Sequence, residues 1–137
     1  MAYNRSIFSK GTVTYRDLNI SFKSHPFTGD LRIVEDVEAI KQSLTTLLYT
    51  NFGERPFRPN LGAGLGDLLF QPMDQITKQE LGSAITNVIT NWEPRIKIIN
   101  LQISDKSDEN SLEISLVFSM LNISNPKKID IILKRVR

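Results

Sequence analysis

The sequence predicts an α+β fold: two helices packed on an antiparallel sheet with a C-terminal three-strand meander, plus an extended N-terminal arm. Apolar residues recur at helical spacing over residues 35–50 and again over residues 78–92. Three later segments have the apolar pattern of strands and are separated by polar turns. Because the helices precede a run of neighbouring strands, they are expected to gather on one face of the sheet.

The composition predicts one soluble domain. With 137 residues, of which 40% are hydrophobic and 23% charged, the chain can bury a core without a metal or crosslinks. It contains no cysteine, which excludes disulfides, thiolate zinc sites and cysteine nucleophiles. No apolar run approaches the roughly 20 residues of a membrane span, and the N-terminus lacks the apolar stretch of a secretory signal. We therefore expect a protein made in the cytosol, with no cofactor and no membrane partner.

The beginning of the chain is polar and is predicted to form an arm, residues 1–30, ahead of a single domain over residues 31–137. The arm contains either one or two edge strands or a segment that becomes ordered only on a neighbouring chain. Residues 24–31, SHPFTGDL, include a proline and a glycine and predict a turn. His25, the only histidine, is expected to be exposed in that turn rather than catalytic.

The first helix is predicted over residues 35–50. Acidic residues stand in its first turn, where the helix dipole favours them. The apolar face of this helix comprises Val37, Ile40, Leu44, Leu47 and Leu48.

Residues 51–74 contain three prolines and four glycines, which predicts an irregular connection with a short helical turn at residues 66–70. A connection of this length is uncommon in a small domain unless it is functional, so we expect a contact surface here. That surface is represented by Arg55, Phe57, Pro59 and Gly62. The glycines of GAGLG, residues 62–66, are expected to allow close backbone approach. A dinucleotide loop would instead need a preceding strand and a glycine where Asp67 stands.

The second helix is predicted over residues 78–92, with its apolar stripe on the sheet. Its start is predicted from Thr77 and Glu80, which have the spacing of a capping box. Ile76 and Leu81 flank the box as a hydrophobic staple.

Three strands complete the predicted domain. Near the start of residues 96–104, apolar residues fall on both faces of the expected strand, which predicts a strand covered on both sides or a bulge. Residues 111–120 alternate cleanly, which predicts a sheet with one buried face. A second turn is expected at residues 122–126 and the last strand at residues 128–136. In that strand one face is expected to hold Ile129, Ile131 and Leu133, and the other Asp130, Ile132 and Lys134.

Positive charge is concentrated at the C-terminal end. Residues 126–137 hold five basic side chains and one acid, a net charge of +4, whereas the whole chain carries +2. A basic tail attracts either nucleic acid or an acidic protein surface. Because no aromatic residues are interleaved with these charges and the segment has the pattern of a strand, an acidic protein surface is favoured.

Glu93, Pro94 and Arg95 stand between the second helix and the strand that follows it. Proline disfavours the α region for the residue before it, so the helix is expected to end at about Glu93. An acid at a helix C-terminus opposes the helix dipole, and local choices of this kind are typical of functional positions. The alternative is an exposed ion pair worth at most ~1 kcal/mol.

The chain resembles one protein family in three stretches, which are DLNISFKSHPFTGDL at residues 17–31, GERPFRPNLGAGLGDLLF at 53–70 and WEPR at 92–95. The family is the phage baseplate wedge group that initiates the contractile tail sheath, sometimes labelled tail lysozyme-like. Its relatives include components of type VI secretion systems and contractile bacteriocins. Glu93-Pro94-Arg95 is similar to the tripeptide by which this family is recognised. The match runs from Asp17 to the C-terminus and leaves residues 1–16 outside it.

The resemblance implies a structural protein of the virion, located in the tail baseplate and assembled in the host cytoplasm. It implies that Glu93, Pro94 and Arg95 bind the helical core bundle formed by larger wedge proteins. It also implies that the C-terminal sheet starts the sheath by exchanging a strand with sheath subunits. The residues concerned are Ile129, Ile131, Leu133, Lys134 and Arg135. The tail tube or hub is a further candidate partner, whereas nucleic acid and membrane are not expected.

The rival interpretation is a baseplate-associated cell-wall hydrolase, as the lysozyme-like label suggests. Glycoside hydrolysis needs two carboxyls, one of them in an apolar pocket that raises its pKa. Glu80 and Glu93 can be nominated, but Glu80 is assigned to capping and Arg95 is expected to lower the pKa of Glu93. No catalytic residue is therefore predicted. A small nucleic-acid-binding protein is the third alternative.

Overall fold

The computed structural model describes residues 15–106, 110–121 and 123–134, in two compact units that divide between Ala39 and Ile40. The elements in chain order are β1 Arg16–Leu18, β2 Ile33–Glu35, α1 Asp36–Tyr49, α2 Gly66–Leu69, α3 Gln75–Trp92, β3 Ile96–Lys106, β4 Ser111–Met120 and β5 Ile123–Lys134. This order confirms the predicted α+β class, with the helices ahead of a C-terminal three-strand sheet. The bounds of α1 agree with its predicted bounds to within one residue at each end.

The first unit contains β1 and β2, which pair antiparallel with each other. The chain between them turns back where the sequence predicted a turn, through an isolated bridge that joins Ser24 and Leu31. Gly29 has φ +73° in this turn, a conformation that favours glycine, and its N–H donates to the carbonyl of His25 at 2.9 Å. Residues 1–14 of the predicted arm lie outside the described residues.

The second unit is built on an antiparallel sheet in the order β3, β4, β5, so that β4 is central and β3 and β5 are the edges of the described sheet. One face is buried, as the alternating sequence predicted. Its side chains are Leu112, Ile114, Leu116, Phe118 and Met120 of β4 and Ile129, Ile131 and Leu133 of β5. The helices contribute further core side chains, among them Ile40, Leu44, Leu48, Leu81, Ile85 and Ile89.

The bulge predicted near the start of β3 is present. The register with β4 shifts between Ile98 and Asn100. The extra residue, Ile99, is 56% exposed. The bulge therefore explains the run of apolar residues that fits neither face of a regular strand.

The predicted start of the second helix was wrong. Helix α3 begins at Gln75, and its N-cap is Asp74, whose Oδ1 accepts the Thr77 N–H at 2.8 Å. That hydrogen bond holds the pKa of Asp74 below its ordinary value. Thr77 is instead buried in the first turn, whereas Glu80 and the supposed staple residue Ile76 are exposed. Aspartate is the stronger cap of the two and stands three residues earlier, so it sets the start.

The turn predicted at residues 122–126 was too long. Strand β5 begins at Ile123, which pairs with Met120. The strand therefore includes Pro126, which the sequence pattern assigned to the turn. Proline is tolerated here because β5 is an edge strand and its register with β4 shifts between Phe118 and Met120.

Replacement of Asp74 by alanine is expected to lower the urea concentration at the midpoint of unfolding, because the Thr77 N–H loses its acceptor. Glu80→Ala is the matched control on the same helix and is expected to leave the midpoint unchanged, since Glu80 is exposed. Circular dichroism during a urea titration measures both. An equal loss in the two variants would favour the capping box after all.

Candidate functional site

The corner between α3 and β3 holds Glu93, Pro94 and Arg95. Glu93 is the C-cap residue of α3 and is only 2% exposed, whereas Pro94 is exposed. Arg95 donates to Glu93 twice, from Nε to Oε1 at 2.5 Å and from Nη2 to Oε2 at 2.7 Å. Its side chain is 24% exposed. The two charges therefore form a bidentate pair within the corner, and the exposed ion pair considered as the alternative is excluded.

A third residue completes this arrangement. Ser43 of α1, 50 positions earlier in the chain, donates its hydroxyl to Oε2 of Glu93 at 2.6 Å. The sequence reasoning missed Ser43, although one signal was available. Ser43 stands at helical spacing between Ile40 and Leu47, on the apolar face of α1. A polar side chain on a buried stripe requires a hydrogen-bond partner, and Glu93 is that partner.

The environment of Glu93 keeps its carboxylate ionised. Burial raises the pKa of Glu93, but the hydrogen bonds from Arg95 and Ser43 and the positive charge of Arg95 together lower it below the ordinary value. The direction confirms the expectation from sequence. Both carboxylate oxygens accept hydrogen bonds, so the group is suited to holding other side chains in place rather than to donating a proton.

The connection between α1 and α2 places three of the four predicted contact residues at the surface. Arg55, Phe57 and Pro59 are exposed, and Phe57 is fully so. Gly62 is buried instead: a Cβ there would lie 2.4 Å from the carbonyl oxygen of Thr50. This confirms the expected close backbone approach. Gly62 shapes the connection from inside, and the other three are available to a partner.

The predicted strand-exchange residues divide between two surfaces and a region outside the described residues. Ile129, Ile131 and Leu133 are buried on the core face, whereas Lys134 is exposed, as the alternation predicted. Arg135 lies outside the described residues. What another chain can reach on β5 is therefore its backbone edge and its outer face.

Neither a membrane span nor a metal site is found in the described part of the chain. No helix there combines the length and apolar character needed to cross a bilayer. No group of three or more potential metal ligands was found over the same residues.

Comparisons with known proteins agree with this architecture. The family described as "Baseplate wedge protein gp25" matches residues 34–123. Baseplate wedge protein gp25 of Enterobacteria phage T4 is 33% identical over 94 residues, which cover 69% of this chain and 70% of the phage protein. The cryo-EM structure of the anti-feeding prophage baseplate contains a similar chain, with a TM-score of 0.69 and 27% identity, covering 81% of this chain and 89% of that one. The crystal structure of a putative tail lysozyme from Geobacter sulfurreducens has a TM-score of 0.68 at 24% identity, covering 73% and 91%.

The fold and these similarities therefore define a small α+β component of a contractile particle's baseplate. More narrowly, the chain belongs to the baseplate wedge protein gp25 family. The resemblance found in the sequence is thereby confirmed, together with the structural role and the baseplate location that it implied. The similarity to the Geobacter protein shows the fold alone.

The Glu93–Arg95 pair gives the stability of the domain a defined pH dependence. Since the pKa of Glu93 is lowered on folding, its contribution is fully present above the ordinary value of 4.5 and is lost as the pH falls through the lower folded value. Glu93→Gln is expected to lower the free energy of unfolding by about 3 kcal/mol at neutral pH, because Arg95 loses its charged partner. Urea unfolding at a series of pH values should show this difference shrinking in acid. A difference that stays constant from neutral pH into acid would contradict the assignment.

Proposed function

We propose that this protein docks onto a helical bundle of larger wedge proteins through its 93–95 corner and starts the contractile sheath at the edge of β5. The observation that carries the docking proposal is the bidentate Glu93–Arg95 pair next to the exposed Pro94. The second half is supported by the position of β5 at the margin of the described sheet, since an edge strand can accept a strand from another chain.

The corner is suited to docking because its shape is fixed before a partner arrives. A buried ion pair adds little net stability over apolar residues of similar size, so its presence calls for a reason other than stability. Here it holds a planar guanidinium that is partly exposed beside Pro94. Such a preorganised group loses little side-chain freedom when it is bound. Arg55, Phe57 and Pro59 are proposed as a second contact surface of the same assembly.

We also propose that the role involves no catalysis. A glycosidase needs a carboxylic acid whose pKa is raised, so that it is protonated before it reacts. The buried carboxyl of Glu93 has its pKa lowered, and the second nominated acid, Glu80, is exposed on α3. The name tail lysozyme belongs to the Geobacter protein, and its similarity to this chain, at 24% identity, supports the fold alone.

Arg95→Ala is expected to prevent the formation of sheathed tails. Because this change also leaves Glu93 buried without its charged partner, the double variant Glu93→Gln/Arg95→Gln removes both charges together and tests docking with less risk to the fold. Glu80→Ala is the control, roughly 20 Å away along α3 at 1.5 Å per residue. Co-purification with the other wedge proteins and electron microscopy of tails are the measurements, and circular dichroism checks folding. Normal sheathed tails from the folded double variant would refute the role of the corner.

The hydrolase alternative is tested with the purified natural chain in a zymogram on cell-wall material. No cleared zone is expected. A zone that disappears in Glu80→Gln or Glu93→Gln, while both variants remain folded, would establish the catalytic role instead.

A further inference from the structure

A groove of about 220 Å³ lies at the C-terminal end of β5. Its floor is apolar and buried, and comprises Leu48, Leu65 and Leu133. Its rim includes two aromatic residues, Tyr49 and Phe70, which are 52% and 66% exposed. The groove therefore lies between the end of α1, the short helix α2 and the last residues of the edge strand.

Tyr49 also reaches the backbone of β5. Its hydroxyl donates to the carbonyl oxygen of Ile132 at 2.6 Å. In an antiparallel pair the carbonyl of each residue points either to the neighbouring strand or away from it. Directly after β4, the Leu121 N–H donates to the carbonyl of Arg95 on the β3 side, so the odd-numbered residues of β4 turn their backbone groups toward β3 and the even-numbered residues toward β5. Ile132 pairs with Glu113, and its carbonyl therefore points away from β4, toward the open edge. The register runs without a shift from Lys134 to Lys127, so every second residue of this stretch presents its N–H and C=O to the same edge.

We propose that the Tyr49 hydroxyl protects the edge of β5 until a partner segment arrives, and that the groove beside it takes one apolar side chain of that segment. The Tyr49 hydroxyl donates a hydrogen bond to the Ile132 carbonyl until a backbone N–H of that segment takes its place. The proposal rests on the proposed function in assigning the segment to a sheath subunit. Tyr49 thus protects the open edge of β5 through a hydrogen bond that the incoming segment can replace.

Charge indicates what kind of segment fits. The described residues of β5 include Lys127, Lys128 and Lys134 against Asp130, and Lys134 borders the groove. An acidic segment with an apolar side chain is therefore favoured. A second copy of this chain is disfavoured, because its own lysine-rich edge would meet like charge.

The Tyr49 hydrogen bond has the strength expected of a temporary contact. An intramolecular hydrogen bond contributes roughly 0.5–1.5 kcal/mol, which corresponds to about a 2- to 10-fold change in an equilibrium constant. An incoming strand replaces this hydrogen bond with one from its own backbone. It also forms further backbone hydrogen bonds along β5. Removal of the hydroxyl alone should therefore ease strand addition without weakening the groove.

The test uses baseplates that carry each variant, titrated with purified sheath subunits and scored for seeded sheath by electron microscopy. Tyr49→Phe keeps the ring and is expected to lower the sheath concentration at half-maximal seeding by roughly 2- to 10-fold. Phe70→Glu places an acid on the exposed rim and is expected to raise it by at least about tenfold. Ser115→Ala is the matched control: it removes the exposed hydrogen bond to Asp130 at 2.5 Å on the outer face and is expected to change nothing.

Every other outcome counts against the edge-and-groove proposal, against the proposed function, or against both. If natural baseplates seed sheath and both Tyr49→Phe and Phe70→Glu behave like them, the edge-and-groove proposal fails and the proposed function stands. Weaker seeding by Tyr49→Phe would show that the hydroxyl serves the partner rather than covering the edge, which also overturns it. Dimers of Tyr49→Phe in light scattering would identify a second copy as the occupant. If natural, fully assembled baseplates seed no sheath, both proposals fail together.

Discussion

The carboxylate of Glu93 is the point at which three elements of the second unit are joined. It belongs to the C-cap of α3, Ser43 connects it to α1, and Arg95 connects it to the start of β3. A carboxylate buried without partners would take up a proton rather than remain charged. Three hydrogen bonds keep this one ionised. Hydrogen bonds are directional and apolar contacts are not, so the corner takes one shape where packing alone would allow several.

The residues of the tripeptide consequently have different roles, although they are neighbours in sequence. Glu93 lies inside, Pro94 lies at the surface, and Arg95 extends from one to the other. Losing the acid would alter the shape of the corner, whereas losing the arginine would alter both the shape and the surface. Binding data on single substitutions in this corner therefore need a folding measurement beside them, because one change can weaken docking through two separate causes.

The sequence predicted best what depends on local spacing. The alternation of β4, the bulge in β3 and the close approach of Gly62 to Thr50 all follow from residues near one another in the chain. It failed where two local signals overlapped, as at Asp74 and Thr77, since either can cap a helix. It could not supply the contacts of Ser43 with Glu93 or of Tyr49 with Ile132, because 50 and 83 positions separate the partners and no spacing rule connects them.

In the proposed function β5 must later accept a partner strand, and this poses a conflict, since the same unpaired backbone invites aggregation before the partner is present. Within the described residues, β5 combines three protections: Pro126 near a register shift, lysines along its length, and the Tyr49 hydroxyl on one of its carbonyls. The first two are permanent, and the third can be displaced at a cost of about 1 kcal/mol. The buried pair at the corner would cost about 3–5 kcal/mol to break. The corner contact is thus the stronger of the two and the β5 contact the weaker. This difference suits the proposed sequence of events, in which the protein docks through a rigid corner first and then exchanges the Tyr49 contact for a partner strand.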